Sequence, residues 1–173
     1  MELTESPMVV CDAGPIIHLD ELDCLNLLAG FSSVLVPSEV ARECEQHRPD
    51  IARRLPGVAK IVSEIPRPSI HLQSLATSLG LAIGEVAAIS LMEHSGARIL
   101  LCDDAAARLA AESMGFRVHG TMGLLIRAIR AGTKSKPEVV HLLGFLPQRS
   151  TLHISRRLLR DIIQQVSESG HNE

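Results

Sequence analysis

The chain has 173 residues, 46% of them hydrophobic and 21% charged, with a formal net charge of −3. That length suits one domain with a real core; the composition excludes a disordered chain, and no apolar run reaches the ~18 residues of a membrane span. Three Phe with no Trp and no Tyr exclude an aromatic platform for stacking bases, and without a basic surplus any nucleic-acid contact must rest on local patches.

In chain order, MVVCDA reads as a short buried strand and IIHLDELDCLNLLAGF as a helix closed near Gly30. SVLVP is a second strand, ended by Pro37, and SEVARECEQHR a helix with Ser38 as its N-cap. DIARRLPG gives a further helical turn and VAKIVSEIP a short strand. SIHLQSLATSLG and AIGEVAAISLMEHSG have helical spacing, with a break near Gly80–Gly84. RILLCDD is a strand, AAARLAAESMG a helix ended by Gly115, FRVHGT a strand and MGLLIRAIRAG a helix. PEVVHLLGF and LHISRRLLRDIIQQVSES are helical by period. Strands alternating with helices predict an α/β fold with a mainly parallel sheet.

In such sheets, ligands collect outside the carboxyl ends of the strands. Asp12 ends the first strand, and Asp103 and Asp104 end RILLC. Glu85 opens the apolar helix EVAAISLM, and Glu39 and Glu43 lie four residues apart on one helix face, so that either could turn to the rim. Asp104 is also placed to cap the next helix, which leaves Asp103 as the ligand of that pair. Asp20, Glu21 and Asp23 read as a solvated face. Converging carboxylates repel unless protons or a cation neutralise them. Oxygen donors without a His or Cys partner select Mg²⁺ or Mn²⁺ over zinc. One or two such ions can activate a water and stabilise charge on a phosphodiester, which is hydrolytic nuclease chemistry.

The segments VVCDAGPIIHL, VLVPSEVARE, LGLAIGEVAAISLM and LLCDDAAARLAAESMGFRVHGTMGLLIRAIRAG follow one another as in PIN-domain proteins. The sequence most resembles the short prokaryotic PIN-like branch described as predicted nucleic-acid-binding proteins. There D-x-x-P-[LI]-I precedes V-P-x-x-V-x-x-E, then L-x-x-G-E, L-x-D-[DE]-x-x-A-R-x-x-A and G-x-x-G-[LT]-L. The resemblance covers about residues 8–133 and implies a three-layer α/β/α fold, with the helices of about 137–169 as a C-terminal extension of a single domain. It also implies a ribonuclease site in which Asp12, Glu43, Glu85, Asp103 and Asp104 hold Mg²⁺ or Mn²⁺, and it selects Glu43 over Glu39. Ala13 stands where many relatives carry Ser or Thr, so one hydroxyl behind the ligands is absent.

Arg108 lies one helical turn beyond Asp104 and could reach an active-site carboxylate or a phosphate. Arg127, Arg130, Lys134 and Lys136 form one positive stretch and Arg156, Arg157 and Arg160 another, each also explicable as helix C-terminal charge or a solvated face. Cys11 and Cys102 precede the strand-end acids and are expected to be buried and turned away from them. All four cysteines, with no C-x-x-C and no signal peptide, read as reduced thiols of a soluble cytoplasmic protein. His18 and His119 read as ordinary half-buried positions. The leading expectation is a metal-dependent endoribonuclease acting on single-stranded or structured RNA, the toxin of a toxin–antitoxin pair with an antitoxin partner, or a homodimer, and no membrane. The rivals are a non-catalytic binding module and an aspartate phosphoacceptor, for which the D-x-D-x-T pattern is missing.

Overall fold

A computed structural model describes residues 6–169. Five strands, β1 (Met8–Cys11), β2 (Ser33–Pro37), β3 (Ala59–Val62), β4 (Ile99–Leu101) and β5 (Arg117–His119), form one sheet in the order β3-β2-β1-β4-β5. Every pairing is parallel. The chain winds outward from β1 to β3, crosses back, and winds outward again through β4 and β5. The order therefore reverses between β1 and β4, the crevice where ligands gather in open α/β sheets.

Side chains alternate along each strand and divide the core. Val9 and Cys11 of β1, Val34 and Val36 of β2, and Ile99 and Leu101 of β4 join one apolar cluster. It contains the buried faces of α1 (Ala13–Glu21), α2 (Ser38–His47), α7 (Thr121–Arg130), α8 (Lys136–Arg149) and α9 (Arg156–Glu168). The short α3 (Ile51–Arg54) adds Ile51. Val10 and Leu100 point the other way, into a cluster with α4 (Ile70–Leu79), α5 (Ile83–Ser95) and α6 (Ala105–Ser113). The helices thus form a layer on each face of the sheet, the α/β/α arrangement. Among the described residues no helix is long and apolar enough to cross a membrane.

Four local expectations change. The helix expected through Gly30 stops at Glu21, because Asp23 adopts a left-handed conformation (φ 55°), and a 3-10 turn over Leu25–Gly30 replaces its second half. Ser38 is the first residue of α2 and does not cap it; its hydroxyl donates to Glu39 Oε2 at 3.1 Å. The last helix begins only at Arg156, capped by Ser155, whose hydroxyl accepts from Leu158 N–H at 3.2 Å. Asp20 is not solvated: it is 7% exposed and accepts from Arg48 Nε at 2.7 Å and from Arg54 Nη2 at 2.8 Å. Those bonds tie the end of α1 to α2 and α3.

Candidate active site

Asp12 continues β1 by one residue, and its N–H donates to Leu101 O at 2.9 Å, closing the β1–β4 crevice. It occupies the N-cap position of α1, yet its carboxylate makes no capping hydrogen bond. The side chain is 6% exposed and lies 3.5 Å from the Cys102 thiol. Burial above all pushes its carboxyl from 3.8 up to about 6; the Ala13 amide pulls back, Glu85 and Glu43 add smaller repulsions, and Cys102 offsets least.

Strand alternation decides which acids join it. Cys11 pairs with Leu101, so Asp12 and Cys102 are level and face the α5 side. Asp103, one residue on, turns to the α1 side. There His18 Nδ1 lies 2.7 Å from Oδ2, the Thr121 hydroxyl donates to Oδ2 at 2.6 Å, and Thr121 N–H donates to Oδ1 at 2.7 Å. Burial opposes its charge, but the bonds from His18 and Thr121 prevail and hold the carboxyl below its usual range. Asp103 therefore pins the N-terminus of α7 to α1. Asp104 turns back toward α5. Its Oδ1 caps α6 by accepting from Ala107 N–H at 2.9 Å, as the sequence suggests, and its charge acts on Glu85.

Glu85 sits in the first turn of α5, where Oε2 accepts from Ala82 N–H at 2.8 Å. Burial and the charges of Asp104 and Glu43 raise its carboxyl despite that bond. Glu43 reaches across from α2. A Cβ on Gly84 would stand 3.2 Å from Glu43 Oε2, so the bare backbone at 84 is what lets α2 and its carboxylate approach α5. Glu39 instead faces Ser38 and Arg42.

Among the described residues, no Lys, Arg or His forms an ion pair with Asp12, Glu43, Glu85 or Asp104. This oxygen-only donor set suits a hard cation. As the side chains stand, no three His, Cys, Asp or Glu among the described residues are grouped closely enough to hold an ion. The thiols near the site, Cys11, Cys44 and Cys102, are buried, and burial above all raises each of them.

Arg108 donates Nη1 to Cys102 O at 3.1 Å beside this rim. Arg127 is engaged elsewhere: Nη2 donates to Gly30 O at 2.9 Å and its guanidinium lies 4.3 Å from the centre of the Phe31 ring. Arg130, one turn further along α7, is exposed. Sequence reasoning missed His18 and Thr121, whose partner Asp103 is remote in the chain.

A family model described as PIN domain matches residues 8–168, the two C-terminal helices included. No curated protein matches the chain. Nearly the whole chain is covered, and it belongs to the PIN-domain family, a group of nuclease-type domains that generally use divalent metal ions.

Proposed function

We propose that the protein is a ribonuclease that hydrolyses RNA phosphodiester bonds with Mg²⁺ or Mn²⁺. Asp12, Glu43, Glu85 and Asp104 would hold the ion. When bound, the ion supplies an activated water and stabilises charge on the phosphoryl oxygens. The observation that carries this reading is a buried Asp12 that pairs with no cation among the described residues, its carboxyl raised to about 6 by burial above all and further by Glu85 and Glu43. Such an arrangement costs stability unless something positive occupies it.

The protein's own groups divide the work. Asp12 sets the floor of the crevice, tied by its N–H to β4. Asp104 uses Oδ1 on the α6 cap, which leaves Oδ2 for the site. Asp103, with both oxygens engaged by His18 and Thr121, is a positioning residue: it fixes α1 and α7 around the crevice. Arg108, held at Cys102 O, stands ready for a substrate phosphate at the rim.

One observation favours a second reading, a non-catalytic nucleic-acid-binding module: the acids are not drawn together into a ligating group. A single experiment separates the two. Wild-type protein incubated with single-stranded RNA and Mn²⁺ is expected to cut, EDTA to stop cutting, and Asp12→Asn to lower the rate by more than ~100-fold while the fold stands. Wild-type protein that binds RNA but never cuts it would establish the silent module. Retained cleavage in the Asn variant would show that Asp12 serves only the local backbone.

A further inference from the structure

Beyond Asp103 lies a cavity of mixed chemistry, with an arginine on its wall. It measures about 350 Å³ and is enclosed by α6, the β5–α7 corner and the segment 152–162. Asp103 and Gly120 stand on its wall, and Asp103 is the chain neighbour of Asp104 on the acidic crevice. Its charged groups are the Asp103 carboxylate, already engaged by His18 and Thr121, and Arg108, which forms no ion pair among the described residues and gives only Nη1 to a backbone carbonyl. The remaining guanidinium N–H groups are available to an anion.

The corner is shaped for close approach. A Cβ at Gly120 would stand 2.6 Å from Asp103 Oδ1 and 3.1 Å from Arg108 Nη1, so both charged groups press against bare backbone. The rest of the wall is aliphatic, with Ile154 and Leu158, and carries two exposed imidazoles, His119 and His153. Leu158 is 52% exposed, an apolar side chain facing the opening with no burial in the core to explain it. Partial burial, with Arg117 and Arg108 nearby, lowers the His119 imidazole below its usual value and favours its neutral form. A neutral imidazole offers a flat face, one donor and one acceptor.

These features answer a difficulty in the composition. The chain has no Trp or Tyr on which to stack a base; here two imidazoles and an aliphatic wall supply the flat, apolar surroundings, and histidine is among the side chains that stack bases. A volume near the lower end of ligand sites, ~300–1,000 Å³, suits one base and not a paired duplex.

We propose that this cavity receives a single unpaired nucleobase of the RNA next to the scissile phosphate, with His119, His153 and Leu158 against the base and Arg108 on the linking phosphate. The proposal rests on the ribonuclease reading and adds to it a subsite for one inserted base. A base in a duplex could not enter without being unstacked first.

The test uses a fluorescent single-stranded RNA hexamer and a series carrying one abasic position each. Binding is measured in EDTA by anisotropy, and cleavage in Mn²⁺. Two variants accompany the wild type: Leu158→Gln, neutral and helix-compatible at the cavity mouth, and Leu109→Gln, a control at a 56% exposed leucine of α6 outside the cavity. Melting curves confirm that both fold. Abasic substitution at one position, adjacent to the cut, should weaken binding by about tenfold. Leu158→Gln should weaken the intact hexamer to a similar degree and make that abasic change cost little more, because both remove one interaction. Leu109→Gln should change nothing. RNA that is bound and cut alike at every abasic position, or that is indifferent to Leu158→Gln, overturns the cavity and leaves the ribonuclease reading intact. The expected binding pattern without cleavage in Mn²⁺ upholds the cavity and overturns the ribonuclease. No binding of the hexamer by any protein overturns the cavity, and no cleavage in Mn²⁺ as well overturns both.

Discussion

Asp12 and Asp20 stand at opposite ends of one helix and are almost equally buried, at 6% and 7% exposure. Their surroundings differ completely. Burial acts against Asp20 too, but Arg54 and Arg48 close on it, and its carboxyl lies below the usual range. Among the described residues Asp12 meets a thiol, a backbone amide and two more acids, with no cation to offset its burial, and its carboxyl rises to about 6. A buried acid with its own guanidinium partners is part of the scaffold. A buried acid among other acids stores unfavourable charge that a scaffold alone has no use for.

The largest consequence is a difference of sign in stability. The folded carboxyl of Asp12 is raised above 3.8, so its stability is fully present below that value and is lost as pH rises through about 6. The loss amounts to about 3 kcal/mol. In EDTA at pH 8, Asp12→Asn should therefore raise Tm by roughly 6–12 °C, and the gain should vanish near pH 4. Asp20 behaves oppositely: its folded carboxyl is lowered, so it contributes above 3.8 and the contribution is lost as pH falls through the lower folded value. Asp20→Asn should lower Tm at pH 7 by several degrees, a deficit that fades in acid. Thermal melts of both variants across pH 4–8 check the pair; equal signs at pH 8 would abolish the distinction.

A smaller effect comes from adding the cation. Saturating Mn²⁺ should stabilise the wild type at pH 8 by about 2–3 kcal/mol at concentrations near 100 times its Kd. Asp20→Asn should keep that gain and Asp12→Asn should lose most of it. A wild-type Tm indifferent to millimolar Mn²⁺ would count against a metal at the crevice.

The smallest difference lies within the acid pair after β4. Asn caps a helix about as well as Asp, so Asp104→Asn should cost less than ~0.5 kcal/mol and still diminish the Mn²⁺ response. Asp103→Asn should cost more stability, because the His18 contact and the hold on α7 weaken, while retaining a larger share of the Mn²⁺ response. The reverse ranking in paired melts would exchange the two roles.

The strands and the sites of Asp12, Asp103 and Asp104 at strand ends could be read directly, since β-branched runs ending in acids need no distant information. The division between Asp103 and Asp104 could not. It depends on Cys11 lying opposite Leu101, a register between segments far apart in the chain, and only that register tells which acid shares a face with Asp12. His18 was hidden for the same reason: on α1 it is one polar residue among apolar neighbours, and its meaning lies in Asp103. The misread end of the first helix has a local cause. The leucines of LDCLNLL suit an α-helix and a 3-10 turn equally, and the deciding event is the left-handed backbone at Asp23. Asp20 seemed solvated because charges around it looked like a surface face, whereas its two arginines arrive from residues 48 and 54.

The winding order of the sheet also sets when the crevice comes into being. Val9 of β1 pairs with Val34 on one side, a partner synthesised soon after it, and with Ile99 on the other, a partner that emerges much later. Pairings across such separations are slow to form. Asp12 and Glu43 therefore wait, already made but unaccompanied, until β4 docks and delivers Asp104, with Glu85 arriving on the helix that crosses back. A growing chain carries Asp12 and Glu43 before Glu85 adds its repulsion to that of Glu43. The last strand pairing next to β1 then completes the burial that, above all, raises the Asp12 carboxyl.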